Sequence, residues 1–170
     1  MNPKEREIVV IAHDIRSSHN IGSLLRTADG LGIKHLYITG YSPYPLTQHD
    51  KRLPHIAQKV HAQIQKTALG AEDSVSWRHV SNITMLIEKL TTKGYDIIAL
   101  EQHKDAQPLP EYQPNSKIAI ILGNEVSGVS RELIEYATKI VEIPMYGRKE
   151  SFNVTQAAAM IMYHCRFYPF

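Results

Sequence analysis

The chain has 170 residues, 43% of them apolar and 21% charged, with a formal net charge of +2 and one cysteine, Cys165. That length and apolar share predict a single domain over residues 1–170, because two half-length domains would each bury too little surface. No apolar run approaches the ~18 residues of a membrane span, residues 1–7 are charged where a secretory leader would turn apolar, and a lone cysteine excludes an internal disulfide, so a cytoplasmic protein without a membrane partner is expected.

Residues 7–13, EIVVIAH, read as a buried strand: a short β-branched run with polar ends. In residues 20–31, Ile21, Leu24, Leu25, Ala28 and Leu31 recur at helical spacing, with Asn20 able to cap the start and Gly32 the end. Residues 34–39, KHLYIT, form a second strand, parallel to the first by the right-handed crossover rule. Residues 41–53, YSPYPLTQHDKRL, are too long and too rich in Pro and Tyr for an ordinary connection, which makes them a candidate binding loop. A helix over 55–69, a short strand over 74–80, an amphipathic helix over 82–93 and a buried strand over 95–100 follow. Residues 105–114 carry three prolines and read as a loop, and 117–122, KIAIIL, are the most apolar strand. Ser130 then caps a helix running through Tyr136. Val141 and Ile143 alternate with Glu142 as a strand does, Pro144 and Gly147 break regular structure, and the helix that follows is apolar on every face, which predicts its burial. Strands alternating with helices predict an α/β fold: an open, mostly parallel sheet covered by helices on both faces.

Three stretches can carry chemistry. In the first, Arg26 lies off the apolar stripe of its helix and one turn after Gly22, so its side chain leans back over the glycine, where space stays open. The structural alternative is a surface Arg26 paired with Asp29. In the second, residues 122–130, LGNEVSGVS, two glycines let backbone approach a ligand closely, while Glu125 disfavours a phosphate and suits a cation or a hydroxyl. The structural alternative is a plain turn before a helix. In the third, Arg148, Lys149, Glu150, Ser151 and Asn153 set hydrogen-bonding groups at the mouth of the last helix, although Asn153 with Gln156 also reads as a variant capping box. The nine histidines include no HExxH, and with CxxC and clustered acidic partners also absent from the sequence they argue against a metal. The modest net charge permits nucleic-acid binding without demanding it.

Taken together, Asn20-Ile-Gly22-Ser-Leu-Leu-Arg26-Thr27-Ala28, Leu122-Gly123-Asn124-Glu125-x-x-Gly128, and Ile143-Pro144-Met145-x-Gly147 with Ser151-Phe152-Asn153-Val154-Thr155 resemble the three motifs of the SpoU (TrmH-like) branch of the SPOUT RNA ribose methyltransferases, in order and in spacing, over essentially the whole chain. Phe152 and Thr155 depart from the usual leucine and serine, which bears on packing of the cofactor pocket. The resemblance implies a C-terminal trefoil knot, against the general absence of knots. It implies S-adenosylmethionine held by three loops, with Ala99, Leu100, Glu101, Gly123, Asn124, Ile143, Met145 and Phe152 as cofactor-binding residues. It also implies a homodimer with the site at the subunit interface and the last helix in that interface.

The implied reaction is displacement of the sulfonium methyl by a ribose 2′-hydroxyl, with Arg26 gripping the nucleotide, Ser151 and Asn153 orienting it, and Asn20 and Glu125 fixing the motif loops. The implied partner is RNA rather than DNA. Recognition is then expected from the dimer surface, from the 41–53 loop and from Lys51, Arg52, Arg148 and Lys149. Residues 71–77 and 94–102 resemble the tRNA D-loop guanosine enzymes, whereas wobble-position enzymes usually carry Gly-Pro-Glu where this chain has Gly123-Asn124-Glu125; 23S rRNA is a further alternative. A catalytically silent RNA-binding module would lose Arg26 or Asn153, and both are present. A nucleotide hydrolase would need a phosphate loop or an acid-base pair, and neither occurs.

Overall fold

The computed structural model describes residues 6–169. The chain runs β1 (Glu7–His13), α1 (Ser18–Gly30), β2 (His35–Thr39), α2 (Pro54–Ala68), α3 (Ala71–Ser74), β3 (Trp77–Val80), α4 (Ile83–Thr92), β4 (Asp96–Leu100), β5 (Gln107–Pro108), a 3-10 turn (Leu109–Glu111), β6 (Lys117–Leu122), α5 (Arg131–Tyr136), β7 (Lys139–Glu142) and α6 (Val154–Phe167). The strands form one seven-stranded sheet in the order β3-β2-β1-β6-β4-β7-β5, with every neighbouring pair parallel.

A parallel sheet must be covered on both faces, and the strand pleat divides the core accordingly. Ile8 and Val10 of β1, opposite Ile118 and Ile120 of β6, pack with Leu24 and Leu25 of α1 and Ile161 and Met162 of α6. Val9, Ile11, Ala119 and Ile121 point the other way, towards Leu86, Ile87 and Leu90 of α4 and Leu133 of α5. This two-sided burial is why β1 and β6 read as unbroken apolar runs. Because β6 lies between β1 and β4, the carboxyl ends of β4, β6 and β7 come together on one edge of the sheet.

Four expectations are corrected. Helix α1 is capped by Ser17, whose hydroxyl accepts from the Asn20 N–H at 3.3 Å, so Asn20 sits inside the first turn and its side chain is free for another partner. Gly22 leaves no open space beneath Arg26. It is buried where α1 crosses α2, and a Cβ there would collide with Thr67 Oγ1 and the Ile64 carbonyl. The ~1 kcal/mol a helical glycine costs is offset by that close approach. Gly22→Ala is therefore expected to lower stability by about 1–3 kcal/mol through overpacking, and an unchanged urea midpoint would count against this reading.

The third correction concerns 105–114, where β5 pairs with β7 through Gln107 opposite Val141 and Pro108 opposite Glu142; at the sheet edge a proline forfeits no ladder bond. The fourth is α6, which is buried on one face only. Ala158, Ile161, Met162 and Cys165 face the core, while Met160, Tyr163 and Phe167 are 38%, 60% and 62% exposed. A helix apolar all round has two faces to cover, and the chain's own core reaches one.

Two arginines tie the end of the chain to its beginning. Arg6 donates to the carbonyls of Pro114, Cys165, Tyr168 and Pro169, and Arg166 donates to those of Leu31, Arg6 and Gly32.

Candidate active site

A cleft of about 490 Å³ opens at the carboxyl ends of β4, β6 and β7, where open parallel sheets bind ligands, and its volume lies in the range of small-molecule sites. Its apolar lining comes from Leu100, Leu122, Val126, Ile143, Phe152, Val154 and Ala157. Its ionisable lining is Glu101, Glu125, Glu142 and Glu150, and no Lys, Arg or His lines it among the described residues. Such a cleft suits an organic ligand with an apolar body and positive charge, and it opposes a bare phosphate.

The loop after β6 is folded on itself. The Asn124 N–H donates to the Gly128 carbonyl at 3.0 Å and the Gly128 N–H returns a bond to the Asn124 carbonyl at 2.9 Å. A Cβ on Gly123 would strike the backbone of Gly128, and Gly128 itself has φ +69° with the Glu101 carboxylate against it. The two glycines thus serve the loop's own packing rather than close approach to a ligand. The side chains of Asn124 and Glu101 are spent on this loop and on the segments beside it. Asn124 Oδ1 accepts from the Val126 and Ser127 N–H groups at 2.8 and 3.0 Å, and its Nδ2 donates to the Asp14 carbonyl at 3.0 Å and the Tyr41 hydroxyl at 2.6 Å. Glu101 accepts from the N–H groups of Val129 at 2.6 Å and Gln102 at 2.9 Å.

Glu125 joins this loop to α1. Its carboxylate accepts from the Arg16 N–H at 2.9 Å, the Ser17 N–H at 3.3 Å and Asn20 Nδ2 at 2.7 Å, which gives Asn20 the partner that capping would have denied it. Burial alone would raise the Glu125 pKa. The Arg16 N–H, its own backbone N–H, the Asn20 amide and the Ser17 N–H together outweigh burial and hold the pKa below the ordinary 4.5. A carboxylate depressed on folding contributes stability that is fully present above its unfolded pKa and is lost as pH falls through the folded one. The latch is therefore expected to weaken below about pH 4.5. Urea midpoints taken down to about pH 3 should show Glu125→Gln less stable than the parent at neutral pH and level with it in acid; a constant gap would exclude the latch.

On the third side, Ser151, Phe152 and Asn153 are exposed at the cleft ahead of α6. Asn153 both caps and lines the cleft: its Oδ1 accepts from the Thr155 N–H at 2.8 Å and the Thr155 hydroxyl at 2.7 Å, whereas its amide nitrogen has no hydrogen-bond partner among the described residues. Leu100, Glu101, Gly123, Asn124, Glu125, Ile143, Ser151, Phe152 and Asn153 are thus brought together at one cleft.

Ala99 and Met145 are not. Ala99 is wholly buried on the opposite face of β4, since neighbouring strand residues point to opposite sides, and Met145 does not line the cleft. Arg26 is exposed on α1, away from the cleft of its own chain, and forms no ion pair with Asp29, whose carboxylate accepts from the Ser74 hydroxyl at 2.7 Å. Arg52 is a strut of its loop. It pairs with Asp50, donates to the carbonyls of Tyr44 at 2.9 Å and Pro45 at 3.2 Å, and stacks 3.7 Å from the centre of the Tyr44 ring. Lys51, Arg148 and Lys149 remain exposed. Gln102, Val126, Ser127 and Glu142 line the cleft without having been singled out. Their signal was position, at or just beyond the carboxyl end of a central parallel strand.

The profile of the SpoU rRNA Methylase family matches residues 7–163. The chain belongs to that family. It is 25% identical to a tRNA (guanosine(18)-2′-O)-methyltransferase of Aquifex aeolicus, over 98% of this chain and 72% of that protein. It is 29% identical to the 23S rRNA (guanosine-2′-O-)-methyltransferase RlmB of Neisseria meningitidis, over 97% of this chain and 60% of that one. A solved AdoMet-bound rRNA methyltransferase from Sinorhizobium meliloti superposes with a TM-score of 0.79 at 20% identity, over 98% of this chain and 58% of that one. The A. aeolicus TrmH/SpoU tRNA modifying enzyme gives 0.71 at 26% identity, over 96% and 77%. The chain thus spans under two thirds of several of its relatives. The shared fold bears out the parallel α/β sheet expected from the alternation of strands and helices.

Proposed function

We propose that this SpoU family protein transfers a methyl group from S-adenosylmethionine to a ribose 2′-hydroxyl of RNA, with a tRNA D-loop guanosine as substrate. The observation that carries the reading is the cleft in which the second and third motifs meet, acidic and apolar at once. Its lining fits a nucleoside-bearing cation: Leu100, Ile143 and Phe152 offer an apolar bed, and Glu125 is held ionised beside it. When bound, the cofactor supplies an electrophilic methyl on sulfur.

The chain's own residues then align and activate the hydroxyl, and alignment supplies much of the rate. Ser151 Oγ and the unpartnered Asn153 amide orient the ribose at the cleft. Arg26 grips the adjoining phosphate and stabilises the developing alkoxide. A guanidinium stays protonated in water and is a poor base, so the proton passes to an RNA phosphate, directly or through water. Asn20 and Glu125 hold α1 against the loop after β6.

The reading includes a homodimer. Two observations support it: the bare apolar face of α6, and the place of Arg26 outside its own chain's cleft, which a second chain would complete. It also includes a threaded C-terminus. In support, β7 pairs outside β4, yet α6 returns to pack on α1 and β1, so residues 143–153 must pass back beside the loops after β4 and β6. No described helix is long and apolar enough to cross a membrane; the reading takes the substrate to be cytoplasmic RNA.

The choice of tRNA rests on residues 71–77 and 94–102 and on the A. aeolicus relative; the N. meningitidis relative supports 23S rRNA as a second reading. Unmodified tRNA and rRNA should be incubated with protein and labelled cofactor and their nucleosides analysed by mass spectrometry. The expected product is 2′-O-methylguanosine from the D-loop. Label only in rRNA, or only in the anticodon loop, would overturn the substrate. Cofactor binding with no methylated nucleoside in either RNA would leave a silent RNA-binding module.

A further inference from the structure

Tyr41 stands at the start of the 41–53 loop, immediately beyond the carboxyl end of β2. Its side chain is unusual in being both exposed and fixed. The residue is 63% exposed, yet its hydroxyl accepts from Asn124 Nδ2 at 2.6 Å and its N–H donates to Asp14 Oδ1 at 3.0 Å. Asp14 has φ +54°, a conformation that residues other than glycine seldom adopt. It is held there by Gly40, at whose Cβ position the Asp14 carboxylate sits, and by the Asn124 bond to its carbonyl. An exposed aromatic normally loses rotamer freedom on binding; this ring is already oriented.

Beside it, Arg16 is anchored by its N–H to Glu125 Oε2 at 2.9 Å, while its exposed guanidinium has no ion pair or hydrogen bond among the described residues. Asn124 and Glu125, the anchors of these two residues, are adjacent and both line the cleft. A fixed π-face and an unpaired cation are therefore carried next to the cleft, each anchored to the loop after β6. The ring is fixed through polar partners, Asn124 at its hydroxyl and Asp14 at its N–H. A fixed aromatic face together with the Arg16 cation matches a nucleobase with its phosphate better than an apolar protein surface.

We propose that Tyr41 is a stacking platform for a nucleobase of the RNA substrate and that Arg16 holds a phosphate next to it, seating the nucleotide beside the cleft. This rests on the methyltransferase reading, and it adds a recognition site outside the three motifs.

The test is binding of the full chain to a folded, unmodified tRNA transcript over about 50–200 mM salt, with cofactor affinity measured by calorimetry on the same preparations. Tyr41→Phe and Tyr41→Leu both lose the anchoring hydroxyl, so the difference between them reads the ring alone. Tyr41→Leu is expected to weaken RNA binding about ten- to a hundredfold, with Tyr41→Phe and Tyr41→Trp within about threefold of the parent and cofactor affinity unchanged in all three. Arg16→Ala should reduce the slope of log affinity against log salt by about one. Equal RNA affinity of the Leu and Phe variants, whether both match the parent or both fall, would overturn the platform, and an unchanged salt slope would overturn the phosphate contact. A parent protein that methylates RNA while Tyr41→Leu binds as well as Tyr41→Phe sinks only this site. A parent that binds no RNA sinks this site and the proposed function together.

Discussion

Replacing Arg26 with alanine is expected to lower methyl transfer by about a thousandfold or more while leaving cofactor affinity unchanged. The two halves of that expectation have separate causes. Arg26 lies on the exposed side of α1 and does not line the cleft of its own chain, so removing it takes no contact from that cleft. Its guanidinium has no partner among the described residues, so its loss leaves no buried group unsatisfied and α1 should fold as before. In the proposed reaction, what disappears is the group that contacts the RNA, and its contacts strengthen as charge develops on the ribose oxygen. Arg26→Lys should fail as well, since an ammonium cannot reproduce the simultaneous contacts of a planar fork. Single-turnover methylation beside calorimetric cofactor binding separates the outcomes. Near-normal turnover by either variant would remove Arg26 from the chemistry, and loss of cofactor binding would place it in the cleft after all.

What the residues alone disclosed, and what they did not, divides along sequence distance. The strands β1 and β6 were legible because burial on both faces imposes a continuous apolar run, and the cap of α5 was legible because Ser130 and Leu133 are neighbours. Asn20 was misassigned as a cap because its true partner, Glu125, lies 105 residues away, while Ser17, an equally good capping residue, stood three positions earlier. Gly22 was misread for the same reason: the atoms that require it belong to α2. Ala99 and Leu100 are adjacent in any motif, yet the pleat sends one into the core and the other to the cleft. Strand register decides between them, and no local pattern discloses it. Lys51 and Arg52 look alike as basic loop residues, and only the fold shows that Arg52 is consumed by Asp50 and Tyr44. The arginine clamps of Arg6 and Arg166 leave no sequence signal at all, because backbone carbonyls accept them.

Ala158→Asp and Tyr163→Asp are expected to fail in different ways, although both put a carboxylate on the same apolar helix. Ala158 is fully buried against the chain's own core, alongside Ile161, Met162 and Cys165. A charge there has no partner and no water, at a cost of about 3–5 kcal/mol or more, a large share of the 5–15 kcal/mol by which domains are usually stable. That variant should unfold or melt far below the parent. Tyr163 lies on the opposite face, 60% exposed, where its ring is tilted against Phe167 with ring centres 4.6 Å apart and Met160 stands one turn back. In the single chain an aspartate at 163 stays hydrated and should leave the melting of an isolated subunit near that of the parent. In the proposed homodimer it would be buried and unpaired. Sedimentation at micromolar concentration should therefore show the parent as a dimer and Tyr163→Asp as a folded monomer, with methyl transfer lost because the cleft lacks its second chain. A Tyr163→Asp protein that remains dimeric and active would exclude this face of α6 from the interface, and a parent that is an active monomer would exclude the dimer itself.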